Sequence, residues 1–199
     1  MTFNRRPWCA ATVLALCVTA APAEESPWEV RVRAVHVSFA NKDTTAPVNL
    51  GLNIDSKTVP DVSWGYYWTP NIATELQIGV PYTVKVKQGA TAAGSYKGDP
   101  VTMLMRYHWT QFDGFRPYVG LGYNRTRFLD VDLQGAQTNT ASKGKVVQVG
   151  VDVPVSEHLS INLDWKRIDA HNDITYPMYT SGRMTTDPSM LGLGLAYRF

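Results

Sequence analysis

The sequence predicts an all-β protein, an eight-stranded antiparallel transmembrane β-barrel with short periplasmic turns and long extracellular loops. Three observations predict it. Apolar residues recur at every second position over eight segments, short and long connections alternate between them, and the last strand carries its large side chains to the final residue, Phe199. A period of two places alternate side chains on opposite faces of a strand. Even strand number, short turns on one side and long loops on the other are the pattern of bacterial outer-membrane barrels.

Residues 1–23 read as a signal peptide. Arg5 and Arg6 form its basic start, Trp8 to Ala20 its apolar stretch, and Ala21-Pro22-Ala23 a cleavage site before Glu24. The barrel domain is then 24–199. Cleavage removes Cys9 and Cys17, so disulfides, thiol catalysis and cysteine metal sites are excluded from the mature chain. It also removes Arg5 and Arg6 from 19 basic residues, which leaves 17 against 17 acidic. That neutral balance gives no basis for nucleic-acid binding. No apolar run after residue 23 approaches the ~20 residues of a spanning helix, so a membrane-spanning fold must be a barrel.

In the first segment Trp28, Val30 and Val32 alternate with Glu29, Arg31 and Arg33. Val35, Val37 and Phe39 then take up the apolar positions, a slip of one residue that reads as a bulge or as the strand's exit from the apolar zone. Val62, Trp64, Tyr66 and Trp68 form the second segment, closed by the turn Thr69-Pro70-Asn71. The third alternates from Ile72 to Lys87 and is expected as one long strand, followed by a Gly/Ala-rich loop. Val101, Met103, Met105, Tyr107 and Trp109 mark the fourth, and Val119, Leu121 and Tyr123 the fifth. The sixth runs Val147 to Val155, the seventh Leu159 to Lys166, and the eighth Leu191 to Phe199.

Short turns are expected at about 69–71, 110–114 and 156–158, and long loops at about 40–57, 88–98, 130–144 and 170–186. Aromatics gather at strand ends: Trp28, Trp68, Trp109, Phe115, Tyr118, Tyr197 and Phe199 near the short turns, Tyr82 and Tyr123 toward the loops. Such girdles mark bilayer interfaces. A soluble β-sandwich would bury the valines equally well but leaves the long loops and terminal aromatics unexplained.

Several dispersed motifs carry a resemblance. Phe115-Arg116-Pro117-Tyr118-Val119-Gly120-Leu121-Gly122-Tyr123-Asn124, Gln148-Val149-Gly150-Val151-Asp152, Asn71 to Leu76, Pro81, Pro100 with Thr102, Asp187-Pro188 and Tyr197-Arg198-Phe199 occur in this order. Together they resemble the OmpW family of small outer-membrane proteins, OmpW/AlkL-like barrels, over nearly all of the mature chain. The resemblance implies an eight-stranded barrel in the outer membrane of a Gram-negative bacterium that passes small hydrophobic molecules. Two departures stand out: the family's double proline is here Pro100-Val101, and the lumen reads polar at Gln77, Asn162, Asp164 and Lys166.

Charged residues of inward parity include Arg31, Glu75, Arg106, Asp152, Asp164, Lys166 and Arg198. Glu75, Arg106 and Asp152 lie about four residues from their turns, which sets them ~10 Å above the periplasmic edge at ~2.5 Å of axial rise per tilted strand residue. An eight-stranded barrel is just filled by its side chains, so these charges are expected to pair into a lumen plug. Apolar cargo is then expected to leave sideways above it, where Gly79, Pro81 and Pro100 weaken the wall because proline removes a ladder hydrogen bond.

Tyr197 and Phe199 form an aromatic end that resembles the tag read by the outer-membrane assembly machinery. Arg125 and Arg127, outward and above the apolar band, are expected to contact lipopolysaccharide. The expected partners are thus outer-membrane lipid, lipopolysaccharide, small hydrophobic molecules and the assembly machinery, for a monomer without cofactor. His36-Val37-Ser38 resembles the His-x-Ser pair of lipid A deacylases, but it recurs as His158-Leu159-Ser160 and no triad follows from spacing. Four scattered histidines offer no metal site, and the sequon at Asn124 reads as chance. A surface-recognition barrel is the alternative function, with a lipid A-modifying enzyme third.

Overall fold

The computed structural model describes residues 26–40, 42–43, 52–88, 91–132, 137–138, 141–176, 179–185 and 187–199. The expected signal peptide 1–23 and residues 44–51 of the expected loop 40–57 lie outside the described residues. The described residues form thirteen strands: β1 (Trp28–Ser38), β2 (Lys42–Asp43), β3 (Leu52–Ile54), β4 (Lys57–Tyr67), β5 (Ile72–Gly79), β6 (Tyr82–Gln88), β7 (Thr91–His108), β8 (Arg116–Asp132), β9 (Gln137–Thr138), β10 (Ala141–Pro154), β11 (Leu159–Tyr176), β12 (Tyr179–Thr185) and β13 (Ser189–Arg198).

Antiparallel pairing runs β1–β4–β5–β7–β8–β10–β11–β13, and β13 returns to β1 to close an eight-stave barrel, with β6 prolonging the β5 stave. Closure pairs every stave with both neighbours, apart from one stretch above Asp61 and Gly79 where β4 and β6 are not paired. The seam sets Val30 opposite Tyr197 and Ser38 opposite Ser189. At its foot Ser26 N donates to Phe199 O at 2.7 Å and Phe199 N to Trp28 O at 3.2 Å. The short connections fall at 68–71, 109–115 and 155–158. In the second of these Gly114 adopts a φ of 81°, a left-handed conformation that glycine takes without steric cost.

The other connections differ from expectation. Residues 88–98 are not a loop, since β7 begins at Thr91 and pairs back on β6. The segments around 130–144 and 170–186 are largely strand as well, because β8 continues to Asp132 and β11 folds back on β12. The wall therefore projects beyond its apolar band as hairpins.

The outer face carries the apolar residues: Val32, Leu76, Met103, Leu121, Val149, Leu163 and Leu193 are all exposed. On β10 the band runs from Val147 to Val155, ~20 Å along the axis at ~2.5 Å per residue. Trp28, Trp68, Phe115 and Tyr197 ring its short-turn edge. Two of the expected girdle residues are not on it. Tyr118 points inward and is 1 % exposed, and Tyr82 is inward and part-buried.

β1 has no bulge, so of the two readings of its slip the strand's exit from the outer apolar zone holds. The strand pairs without interruption from Trp28 to Val37 with β4 and from Glu29 to Ser38 with β13. Arg31, Arg33, Val35 and Val37 all face inward, while Ala34 and His36 face out. The lumen changes from polar to apolar along one unbroken face. The third segment departs too, because its chain is broken at Val80-Pro81. Even-numbered residues face out on β5 (Leu76, Ile78) but inward after the break (Tyr82, Val84). The sequence alternation continues across the break although the faces exchange.

Candidate functional site

The short-turn half of the lumen is a network of buried charges. Arg31 forms two-pronged contacts with Glu29 (2.6 and 3.1 Å) and with Asp152 (3.0 and 2.8 Å), and donates to Tyr118 Oη at 3.2 Å. Arg106 Nη2 donates to Glu29 Oε1 at 2.8 Å. Its Nε lies 3.3 Å from Glu75 Oε2 without hydrogen-bond alignment. Arg33 donates to Asp61 (2.9 Å), Ser63 (2.9 Å) and Glu75 (2.6 Å), and lies 3.5 Å from Asp164. Lys166 caps the network, 3.0 Å from Asp164 and donating to Gln77 Oε1 at 2.8 Å.

Aromatic rings floor it. The His108 and Tyr118 rings pack with centroids 4.8 Å apart and tilted by 31°, Arg31 lies over Tyr118, and Arg198 lies 4.3 Å over the Tyr67 ring. Tyr67 Oη donates to Glu29 at 3.1 Å. The structure thus brings Arg31, Glu75, Arg106, Asp152, Asp164 and Lys166 into one cluster, with Arg198 joined below through Tyr67. Buried charges are tolerated only when paired and hydrogen-bonded, and two-pronged guanidinium–carboxylate contacts meet that demand well.

Glu29, Arg33, Asp61, Tyr67, His108, Tyr118 and Gln148 belong to the same cluster without having been singled out from sequence. Parity already set Glu29, Arg33, Tyr67, His108 and Gln148 inward, whereas Tyr118 was expected in the girdle; which of them meet had to be seen across the lumen.

Above Lys166 the lumen is largely aliphatic, with Thr102, Asn124 and Ser142 as buried polar groups on one side. Val35, Val37, Val59, Leu104, Val146, Ile168, Ala170 and Met190 form one buried cluster, with Phe39 and Tyr82 packed against it. A cavity of ≈ 30 Å³ lies here, bordered by Phe39, Tyr82, Ile168 and Met190 and, on its polar side, by Asn124 and Ser142. That is room for no more than a few waters, so it is closed to cargo until its walls move.

The wall is parted beside this chamber. β4 pairs with β5 only as far as Asp61–Gly79. Continuing that register would set Pro60 against Val80 and Val59 against Pro81, and a proline offers no N–H to a ladder. β6 instead pairs with β3 and β7. A cavity of ≈ 270 Å³ lies between the two edges, lined by Lys57, Thr58, Val59, Pro60, Val80, Pro81, Tyr82 and Thr83. Lys57 Nζ spans it, donating to Thr83 O at 3.4 Å.

Of the three residues expected at a lateral opening, Pro81 lines this gap. Gly79 and Pro100 meet inside the barrel, where a Cβ on Gly79 would lie 2.6 Å from Pro100 Cγ. Tyr197 stacks edge-on against Phe199 at 5.2 Å on the outer face. Arg125 and Arg127 are exposed on the outer wall of β8. Neither His-x-Ser pair forms a His–Ser hydrogen bond, since His36 Nδ1 bonds Thr58 Oγ1 (3.1 Å) and His158 Nδ1 bonds Arg198 O (2.9 Å). The sequon's Asn124 is inward and donates to Thr102 Oγ1 at 2.8 Å.

A closed eight-stave barrel with an apolar outer band fits an outer-membrane protein, and the sequence model of the OmpW family matches residues 28–199. The chain belongs to the OmpW family. It is 33 % identical over 205 residues to the uncharacterized outer-membrane protein y4mB of Sinorhizobium fredii, covering 90 % of this chain and 85 % of that one. It is 29 % identical to outer membrane protein AlkL of Ectopseudomonas oleovorans over 76 % of this chain and 70 % of AlkL. The solid-state NMR structure of AlkL in lipid bilayers superposes with a TM-score of 0.72 at 21 % identity, over 100 % of this chain and 97 % of AlkL. The crystal structure of OprG from Pseudomonas aeruginosa gives 0.68 at 24 % identity, over 88 % and 97 %. This OmpW-family chain is therefore an outer-membrane barrel, its short turns periplasmic and its projecting hairpins extracellular.

Proposed function

We propose that this OmpW-family barrel takes up small hydrophobic molecules passively and releases them sideways into the membrane. Cargo enters between the extracellular hairpins, occupies the aliphatic chamber and leaves through the gap between β4 and β6. One observation carries this reading. Val59 belongs to the chamber's apolar cluster and Tyr82 packs against it, and both line the gap, so the two spaces adjoin at these side chains. The gap's ≈ 270 Å³ suits a small molecule. The other direction is blocked. Crossing the charged cluster would strand buried charges, and breaking one such pair costs ~3–5 kcal/mol.

The test sets wall against plug. Pro60→Val with Pro81→Val restores two backbone N–H groups and should let the edges zip together; uptake of a hydrophobic dye into cells should fall to that of cells lacking the barrel. Glu75→Gln with Arg106→Gln neutralises the plug and should leave uptake unchanged. The reverse pattern would route cargo straight through the lumen. Uptake equal to the barrel-free control with every variant, the parent included, would favour a surface-recognition role.

A further inference from the structure

The outer wall holds a second feature, on the opposite side of β7 from the gap. On β7, β8, β10 and β11 the apolar band stops at one level: Val101, Tyr123, Val147 and Trp165 are the last apolar outward residues before Asp99, Arg125, Lys145 and Arg167. Immediately above this edge, strand register brings four cations together. Lys143 stands directly opposite Arg125, Arg127 follows Arg125 on β8, and Lys145 lies below Lys143 on β10. All four are exposed and outward.

Side chains directly opposite across an antiparallel pair have Cβ atoms ~5 Å apart, and diagonal neighbours lie at roughly 7–8 Å. Like charges at such spacing destabilise a sheet by themselves. The outward ion pairs nearby, Lys97–Asp130 at 2.6 Å and Arg167–Asp187 at 3.4 Å, use none of the four. Asp99 stands opposite Arg127 and Asp169 opposite Lys145 on the same face, so the patch keeps a net formal charge of +2. At the same edge β13, β1 and β4 offer Ser189, His36 and Thr58 instead.

We infer that Arg125, Arg127, Lys143 and Lys145 form a binding site for the phosphates of a phosphorylated glycolipid of the outer leaflet. Its acyl chains lie along the apolar band below, against Tyr123 and Val147, and its head group reaches the row where the band ends. Guanidinium groups pair with phosphate through two parallel hydrogen bonds, and lysines add point charge. The anion relieves the repulsion between Lys143 and Arg125 that the sheet otherwise bears. A free anion lacks the acyl anchor, so the site takes the lipid and not inorganic phosphate.

The test measures binding of purified lipid A to the detergent-solubilised barrel by native mass spectrometry. Arg125→Gln, Arg127→Gln, Lys143→Gln and Lys145→Gln together should weaken it at least tenfold, as should enzymatic removal of the phosphates from the lipid. Lys85→Gln, on the exposed face of β6, should change it less than twofold. Inorganic phosphate at millimolar concentration should not displace the lipid, and raised salt should weaken binding. Equal binding of dephosphorylated lipid, equal binding by the quadruple variant, or full displacement by inorganic phosphate would each overturn the assignment. The dephosphorylated arm uses the unaltered protein, so it holds even if the quadruple variant fails to fold. Hydrophobic uptake by that variant should match the parent, which separates this site from the uptake route.

Discussion

The two halves of the lumen are built on the same staves and share the same inward parity, yet they are held by different physics. β1 passes from Arg31 and Arg33 to Val35 and Val37, and β11 from Asp164 and Lys166 to Ile168 and Ala170. Below the transition each side chain has specific partners at hydrogen-bond distance. Above it, contacts are aliphatic, and apolar burial is non-directional. A network of paired charges cannot shift without stranding some of them, whereas an aliphatic cluster can repack around a guest at small cost. On the proposed uptake reading, the periplasmic half closes the barrel and the extracellular half adapts to cargo.

The largest effect expected from this contrast lies in the network. Arg33→Met removes the cation shared by Asp61, Glu75 and Asp164. It should lower stability by ~3–5 kcal/mol, read as urea unfolding of the barrel in lipid vesicles. Adding Glu75→Gln to that variant should recover part of the loss, because one stranded carboxylate becomes neutral. A loss below about 1 kcal/mol would remove the contrast between the halves.

Next in size is a cut into the chamber. Ile168→Ala should cost about 2–3 kcal/mol through lost burial and residual cavity. Unlike Arg33→Met it should also widen the range of cargo, so that bulkier hydrophobic dyes enter faster than they do with the parent. An unchanged cargo range alongside the expected destabilisation would mean that the chamber does not hold the cargo.

The sequence made the charged half more legible than the aliphatic one, and the reason is in the periodicity. Alternation reports which face a residue occupies only when the faces differ in polarity. Arg31, Glu75, Arg106, Asp152, Asp164 and Lys166 stand out because each interrupts an apolar strand on the inward side. Val35 and Val37 are inward and apolar, so they read as a slip of the outer face. Tyr82 and Val84 read as a continuation of the outer face of β5, because every even position from 72 to 86 except Thr74 is apolar and the exchange at Val80-Pro81 leaves no trace. Pro81 was visible as a weak point from its chemistry. Its counterpart Pro60 was not, because its place beside Val80 depends on register, which a single strand does not contain.

Tyr82 offers the smallest change with the sharpest reading. Its ring lies over Gly98, with Cζ 3.7 Å from where a Cβ on that glycine would stand. It borders the chamber cavity and the wall gap together. Tyr82→Phe keeps this ring and removes only a hydroxyl, so stability should change by less than about 0.5 kcal/mol, as for a substitution away from any buried network, and uptake should stay at the parental rate. Tyr82→Ala removes the ring and joins chamber to gap, and uptake of a hydrophobic dye should rise severalfold. Tyr82→Trp enlarges the ring and should slow it. If the three variants take up dye at one rate, Tyr82 does not stand in the path, and release must occur somewhere other than between β4 and β6. A slower rate for Tyr82→Ala than for Tyr82→Phe would instead make the ring a platform on which the cargo rests, with the gap still its exit.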